Sequence, residues 1–202
     1  MEDRRYRGAS AEQRRRRRRE LLVEAGLEVF GTTGYRTATV DTLCAEAGLT
    51  KRYFYESFPD REALLLAAYE HANGLLRDAV LAAVPPDEPD PLVIARIGLR
   101  AAFTCMRDDH RVSRLLYAEI LGVSPAADRA YQGCVETWAR TIRELVIAGP
   151  SGPRTDLLAT AAVGAITATA MRWALTGYAE PVDDLVQVVE TLLTGTALAR
   201  GG

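Results

Sequence analysis

With 202 residues, 48% of them hydrophobic, the chain can bury one large core or two small ones, and nothing in its composition points to disorder beyond the ends. A net charge of −2 does not mark the whole molecule as a nucleic-acid binder, and the three cysteines, Cys44, Cys105 and Cys134, have no metal-ligand spacing and fit a reducing cytoplasm better than a disulfide framework. No segment shows the roughly 20 predominantly apolar residues of a bilayer span, so a soluble, cytoplasmic protein with no membrane partner is expected.

Residues 1–15 read as a flexible Arg-rich tail, because no apolar period runs through them. Residues 1–19 hold nine arginines and three acids. The six adjacent cations Arg14 to Arg19 repel one another and oppose the positive end of the helix dipole, so the first helix is expected to fray at its start unless an anion is near. Two uses of the tract stay open: contact with phosphates or a minor groove, or a solvated helix start. The first helix then buries Leu22, Ala25, Gly26, Val29 and Phe30, and Gly31 and Gly34 end it.

Thr39 to Phe58 read as two short helices joined by a three- to four-residue turn. Thr39 can cap the first, whose Val40, Leu43, Cys44 and Ala47 share one face. Gly48 stands where that helix must stop, in a left-handed position best tolerated without a Cβ. Leu49 plugs the corner, Thr50 caps the second helix, and Phe54 and Phe58 form its inward stripe. Lys51, Arg52 and Tyr53 face outward. Such a pair suits a DNA major groove, although two helices joined through a glycine also occur in many all-α proteins. Pro59-Asp60 then starts a fourth helix with Leu64, Ala67, Ala68, Leu75 and Leu76 on its apolar face, running toward Val84. These elements set a DNA-binding unit at 16–76 and a second unit at 77–202.

The run from Phe30 to Tyr69 resembles the DNA-binding domain of the tetracycline-repressor (TetR) family. The resemblance rests on Phe30, Gly34-Tyr35, Thr39-Val40, Leu43, the Ala47-Gly48-Leu49-Thr50 turn, Phe54-Tyr55, Phe58, Arg61 and Leu64. Cys44 stands where the family usually has alanine, and Arg61 where lysine is common; the first can pack as alanine does and the second keeps the charge. The resemblance implies an all-α fold of about nine helices and a homodimer that binds double-stranded DNA at a palindromic operator. Most such proteins repress, and a small molecule lowers their DNA affinity. Of the residues at the DNA, Thr39, Tyr55 and Arg61 are expected to hold phosphates. Lys51, Arg52 and Tyr53 are expected to meet base edges or the adjacent backbone, with Thr50 beside them at the helix start. Tyr55, between Phe54 and Phe58, could be partly buried.

Pro85 to Pro91 break the chain. Beyond them helices are expected over about 92–107, 112–121, 126–148, 155–176 and 182–199, with a loop at Gly149–Pro153. The small side chains from Ala159 to Ala165 permit close backbone approach, and Leu185, Val186, Val189, Leu192 and Leu193 add bulk. Duplicated about a two-fold axis, these last two helices would make the homodimer interface that the resemblance implies; both finishing the monomer core is the alternative.

Phe103, Met106, Tyr117, Tyr131, Trp138 and Met171 are candidates for lining a pocket for an unknown small apolar effector, although aromatic and methionine side chains equally fill helical cores. His71 and His110 are the only histidines. No nucleophile–base pair, metal-ligand set or phosphate loop is present, so no catalytic residue, metal or cofactor is expected. A ligand-responsive DNA-binding regulator is the reading these features favour. The alternative is a helical small-molecule-binding protein that does not use its helix-turn-helix for DNA.

Overall fold

Helical periodicity governs the chain, and the computed structural model realises it as nine α-helices with no strand among the described residues, which are 3–147 and 152–198, with side chains over 10–147 and 152–193. The N-terminal unit is α1 (Asp3–Thr32), α2 (Val40–Ala47) and α3 (Lys51–Ser57). Next come α4 (Arg61–Ala83), α5 (Pro91–Asp108) and α6 (His110–Arg114), the last running directly into a π-helical turn over Leu115–Glu119. α7 (Pro125–Leu145), α8 (Pro153–Leu175) and α9 (Val182–Leu198) complete the chain. Of the loop expected at Gly149–Pro153, residues 149–151 lie outside the described residues, as do Ala148 and Ala199 at the expected ends of the last helices.

α1 packs on α2, α4 and α6, α4 on α5, α5 on α9, and α7 on α8. One apolar core runs unbroken from Leu22 and Phe30 through Leu64 and Leu76 to Phe103, Leu115 and Trp173. α4 carries it from one half of the molecule to the other by burying Leu64, Leu65, Ala68, Tyr69, Ala72 and Leu76. Leu75, placed on that face by its spacing, is exposed instead.

Three further expectations need correction. α1 begins at Asp3, so residues 3–15 are helix rather than a tail. Arginine is a good helix former, and contacts from α3 offset the crowding of charge. α8 is long and apolar enough by composition to cross a bilayer, contrary to the expectation that no segment is. Its apolarity comes largely from alanines, and the helix lies in the bundle, burying Ala159, Ala162, Val163, Ala170 and Trp173. In α9, Leu185, Val186 and Val189 are buried within the same chain, where α9 meets α5, rather than presented to a second subunit.

The two halves approach closely where α6 crosses α1. A Cβ on Gly31 would lie 2.5 Å from Cβ and 2.8 Å from Cα of Arg111, so only a residue without a side chain lets the two backbones approach this far. Gly31→Ala is therefore expected to push α6 off α1 and cost about 1–3 kcal/mol, as overpacking does. Chemical denaturation of the variant measures this; an unchanged midpoint would mean that the contact is loose.

Candidate nucleic-acid interface and apolar cavity

Local signals position the recognition unit. Thr39 caps α2 through a reciprocal pair of bonds: the Thr42 N–H donates to Thr39 Oγ1 at 3.1 Å, and the Thr39 N–H to Thr42 Oγ1 at 2.9 Å. Gly48 ends α2 in the left-handed region at φ 63°. The Gly48 N–H donates to the Ala45 carbonyl at 3.2 Å and the Leu49 N–H to the Cys44 carbonyl at 2.9 Å, closing a Schellman motif. Phe54 and Phe58 are buried and set α3 on the core, with Leu43 and Cys44 beneath it. Burial is the main cause that raises the Cys44 thiol pKa above its ordinary value.

On the outer face, Thr50, Lys51, Arg52, Tyr53 and Tyr55 are all exposed, Tyr55 at 58% and so not partly buried. Thr50 occupies the N-cap position in extended backbone, yet its side chain makes no capping hydrogen bond, contrary to expectation. Lys51 Nζ pairs with Asp41 at 2.8 Å, and that hydrogen bond holds the ammonium above its usual pKa. Arg52 Nε donates to Glu56 Oε1 at 3.0 Å.

The arginine tract is partly fastened to this helix. Arg18 Nη2 lies 3.4 Å from Glu56 Oε2, with its guanidinium 4.4 Å from the centre of the Tyr53 ring. Arg19 stacks 4.5 Å over Phe58, and Arg15 donates to the Glu56 carbonyl at 3.4 Å. Arg14, Arg16 and Arg17 remain exposed, the last two within 3.8 and 3.6 Å of Glu20. Exposed pairs of this kind are worth about 0–1 kcal/mol, so exchanging the acid for a phosphate costs little.

Arg61, expected at a phosphate, is partly buried and engaged within the chain. Its Nη1 donates to the carbonyls of Ala38 and Tyr35, and its guanidinium sits 5.2 Å from the Tyr35 ring centre, so it braces the loop between α1 and α2. The same loop is gripped from below, where the Tyr35 N–H donates to Glu119 Oε2 at 2.8 Å. Arg114 donates to the Thr32 carbonyl and, through Nε, to Glu119 Oε1 at 3.0 Å, and Arg111 Nη1 reaches Glu28 at 2.6 Å. The Arg111 guanidinium is the first cause that holds the Asp109 carboxyl below its ordinary pKa. Apart from Tyr35 and Arg61, none of these residues stands out in the sequence; the bonds span up to 84 positions.

Above this joint, helices α4, α5, α7 and α8 enclose a cavity of about 720 Å³, within the range of small-molecule sites. Four of the six expected residues line it: Met106, Tyr117, Tyr131 and Trp138. Phe103 does not; it is fully buried and meets Trp173 edge-to-face at 5.9 Å. Met171 does not either, being 37% exposed on the outer side of α8. Spacing missed Tyr69 and Asn73 on α4, four apart and facing the inner end of the cavity. Asn73 Nδ2 donates to the Tyr69 carbonyl at 2.9 Å, and Cys134 Sγ donates to Asn73 Oδ1 at 2.7 Å. Burial is the main cause that pushes the Tyr69 and Tyr117 phenols and the Cys134 thiol above their usual pKa values. His110 is exposed and stacks on Tyr178 with ring centres 3.8 Å apart.

Residues 22–68 match the family model described as bacterial regulatory proteins, tetR family. A relative, the uncharacterized HTH-type transcriptional regulator YerO of Bacillus subtilis (strain 168), is 28% identical over 107 residues, which is 50% of this chain and 35% of that protein; the match thus spans about a third of the relative's length. The fold is similar to that of the fatty acid degradation regulator FadR from Bacillus halodurans, with a TM-score of 0.76 and 17% identity over 88% of this chain and 95% of that one. FadR from Bacillus subtilis, solved with stearoyl-CoA, gives 0.74 at 15% identity over 86% of this chain and 96% of that one. A TetR-like regulator from Rhodococcus sp. RHA1 gives 0.72 at 22% over 92% and 97%.

Proposed function

Because this chain belongs to the tetR family of bacterial regulatory proteins, we propose that it represses transcription as a homodimer on a palindromic operator and releases DNA when an apolar molecule fills its cavity. The observation that carries the reading is the exposed face of α3, where two hydroxyl-bearing rings, two cations and Thr50 stand together on a helix whose other face is locked into the core. Lys51, Arg52 and Tyr53 are assigned to base edges, and Thr39, Thr50, Tyr55 and the arginine tract to phosphates. Arg61 is assigned to holding the loop that orients α2.

Two recognition helices enter successive major grooves only when they stand about 34–36 Å apart. An effector shifts that separation by its differential affinity for the two states and no more. Two elements connect the cavity to the DNA-binding unit: α4, which supplies Tyr69 and Asn73 to the wall, and the π turn, which supplies Tyr117 to the cavity and Glu119 to the Tyr35 loop. Stearoyl-CoA in a relative of this fold supports an effector with a long apolar part. The test is a gel shift with the DNA upstream of the protein's own gene. The Lys51→Ala/Arg52→Ala double variant should lose the preference for its site, at about 1–3 kcal/mol per bidentate base contact. Undiminished, site-selective binding by the double variant would refute the assignment. Failure of the intact protein to bind any palindromic site would favour the alternative, a small-molecule-binding protein that leaves its helix-turn-helix idle.

For assembly we propose the outer side of α8 as the centre of the dimer, with α9 beside it. Leu157, Ala161, Gly164, Ala168, Met171 and Leu175 recur every three or four residues and are all exposed, Leu175 at 87%. Val188 and Leu192 of α9 are exposed too. A Cβ on Gly164 meets nothing within 4 Å, so Gly164→Arg should leave the monomer folded and prevent pairing. Sedimentation should show monomers with operator binding lost. A folded variant that stays dimeric would move the interface elsewhere. Ala162, although a neighbour, is buried, and a long side chain there would disturb the fold instead.

A further inference from the structure

The lining of the large cavity carries a single charged side chain among the described residues, Glu88, and no cation. Glu88 lies on the α4–α5 connection at the open end, where Leu81, Pro85, Pro86 and Leu145 are exposed. Arg77 acts electrostatically on Cys134 but is exposed and does not line the cavity. The inner end is closed by buried Tyr69, Met106 and Leu116. Between these ends the wall follows α4 from Tyr69 to Val84 and α7 from Tyr131 to Val146. Fifteen helical residues rise about 22 Å, so the space is longer than it is wide.

The polar groups of the inner end fall into two sets. Asn73 and Cys134 satisfy each other, with the Tyr69 phenol joined to both, and Asn73 also holds the Tyr69 carbonyl. The phenols of Tyr117 and Tyr131 face the cavity and make no hydrogen bond to any described residue. A phenol is protonated at neutral pH, and burial pushes the Tyr117 pKa further up, so it stands there as a donor without an acceptor. An anion brought to this end would lose its water and find neither a cation nor a cluster of backbone N–H groups to replace it.

We infer that the cavity takes an uncharged, elongated apolar molecule with an oxygen acceptor at its inner end, held by Tyr117 and Tyr131, and that it rejects carboxylates and acyl-CoA thioesters of the same chain length. This rests on the proposed role of the cavity as the effector site, and it narrows the chemical class of the effector.

The probes are decanol, decanoate and decanoyl-CoA, titrated at pH 8 into the full-length protein. The readout is tryptophan fluorescence, in which Trp138 in the wall responds and Trp173 in the core provides a steady background. Decanol should bind at least about tenfold more tightly than decanoate or decanoyl-CoA. Tyr117→Phe should weaken decanol about two- to tenfold, the worth of one hydrogen bond, with an unchanged melting temperature in the absence of ligand. Tyr131→Phe provides a second chance should the first variant fold poorly. Decanoate or decanoyl-CoA binding as tightly as decanol would overturn the inference, and so would no binding of any of the three. Each measurement is made without DNA, so the outcome is separate from that of the operator assay. Decanol binding that leaves operator affinity unchanged would support the ligand class while sinking the ligand-responsive switch.

Discussion

Raising the salt from about 50 to about 200 mM should weaken operator binding by about three orders of magnitude or more, as expected for six to ten phosphate contacts per dimer. Each subunit offers Lys51, Arg52, Arg14, Arg16 and Arg17 on exposed surface, and two copies double the set. The acids Asp41, Glu20 and Glu56 already neutralise part of that charge in the free protein, so the slope should fall short of one counterion per cation. Arg14→Ala, Arg16→Ala and Arg17→Ala together should flatten the slope of log affinity against log salt while leaving preference among sequences intact, because phosphates carry no base information. Arg18→Ala should act differently, since Arg18 lies against Tyr53 and Glu56 and steadies α3 itself. If the triple variant keeps the wild-type slope, the tract does not touch DNA.

The second large effect separates core from cavity wall. Trp173 is 1% exposed, donates its indole N–H to the Glu180 carbonyl at 2.9 Å, and is flanked edge-on by Phe103 and Tyr178. Trp173→Ala should cost about 3–5 kcal/mol, a large part of the 5–15 kcal/mol that holds a typical domain. Trp138 is half-buried on α7 and borders space that is already open, so fewer contacts are lost and Trp138→Ala should cost about 1 kcal/mol. Its effect should appear in ligand response. Denaturant midpoints for the two variants decide the matter: equal losses would mean that Trp138 is packed as tightly as Trp173 and that the cavity does not exist in solution.

The contrast between these tryptophans also marks what a sequence can say. The helix-turn-helix was legible because its determinants are local: a threonine cap, a glycine at φ 63°, and phenylalanines four apart all act within a few residues of one another. The cavity was legible in part. Periodicity identifies which residues of a helix share a face, but not which neighbour that face meets, so Phe103 and Met171 passed for lining while one is core and the other outer surface. Leu185, Val186 and Val189 failed the same way, their partner being α5 of the same chain. The arginine-rich start of α1 has no apolar period at all. What holds it, Glu56 and the rings of Tyr53 and Phe58, lies some 40 residues away, in line with the separations of 41 and 38 for Arg15 and Arg18 to Glu56. Arg61 kept the charge expected of it, yet two carbonyls occupy that charge.

Pairing through the outer side of α8, as proposed, would tie folding to abundance. A chain that covers Leu157, Met171 and Leu175 only by pairing with its own copy has a native state drawn forward by mass action, so its melting temperature rises with protomer concentration. A regulator present at a few copies per cell would then sit nearer its dissociation midpoint than the same protein overproduced. The scarce protomer, with that apolar strip facing water, would be the species most open to proteolysis and to unwanted partners. The number of molecules would thus set how long each one lasts.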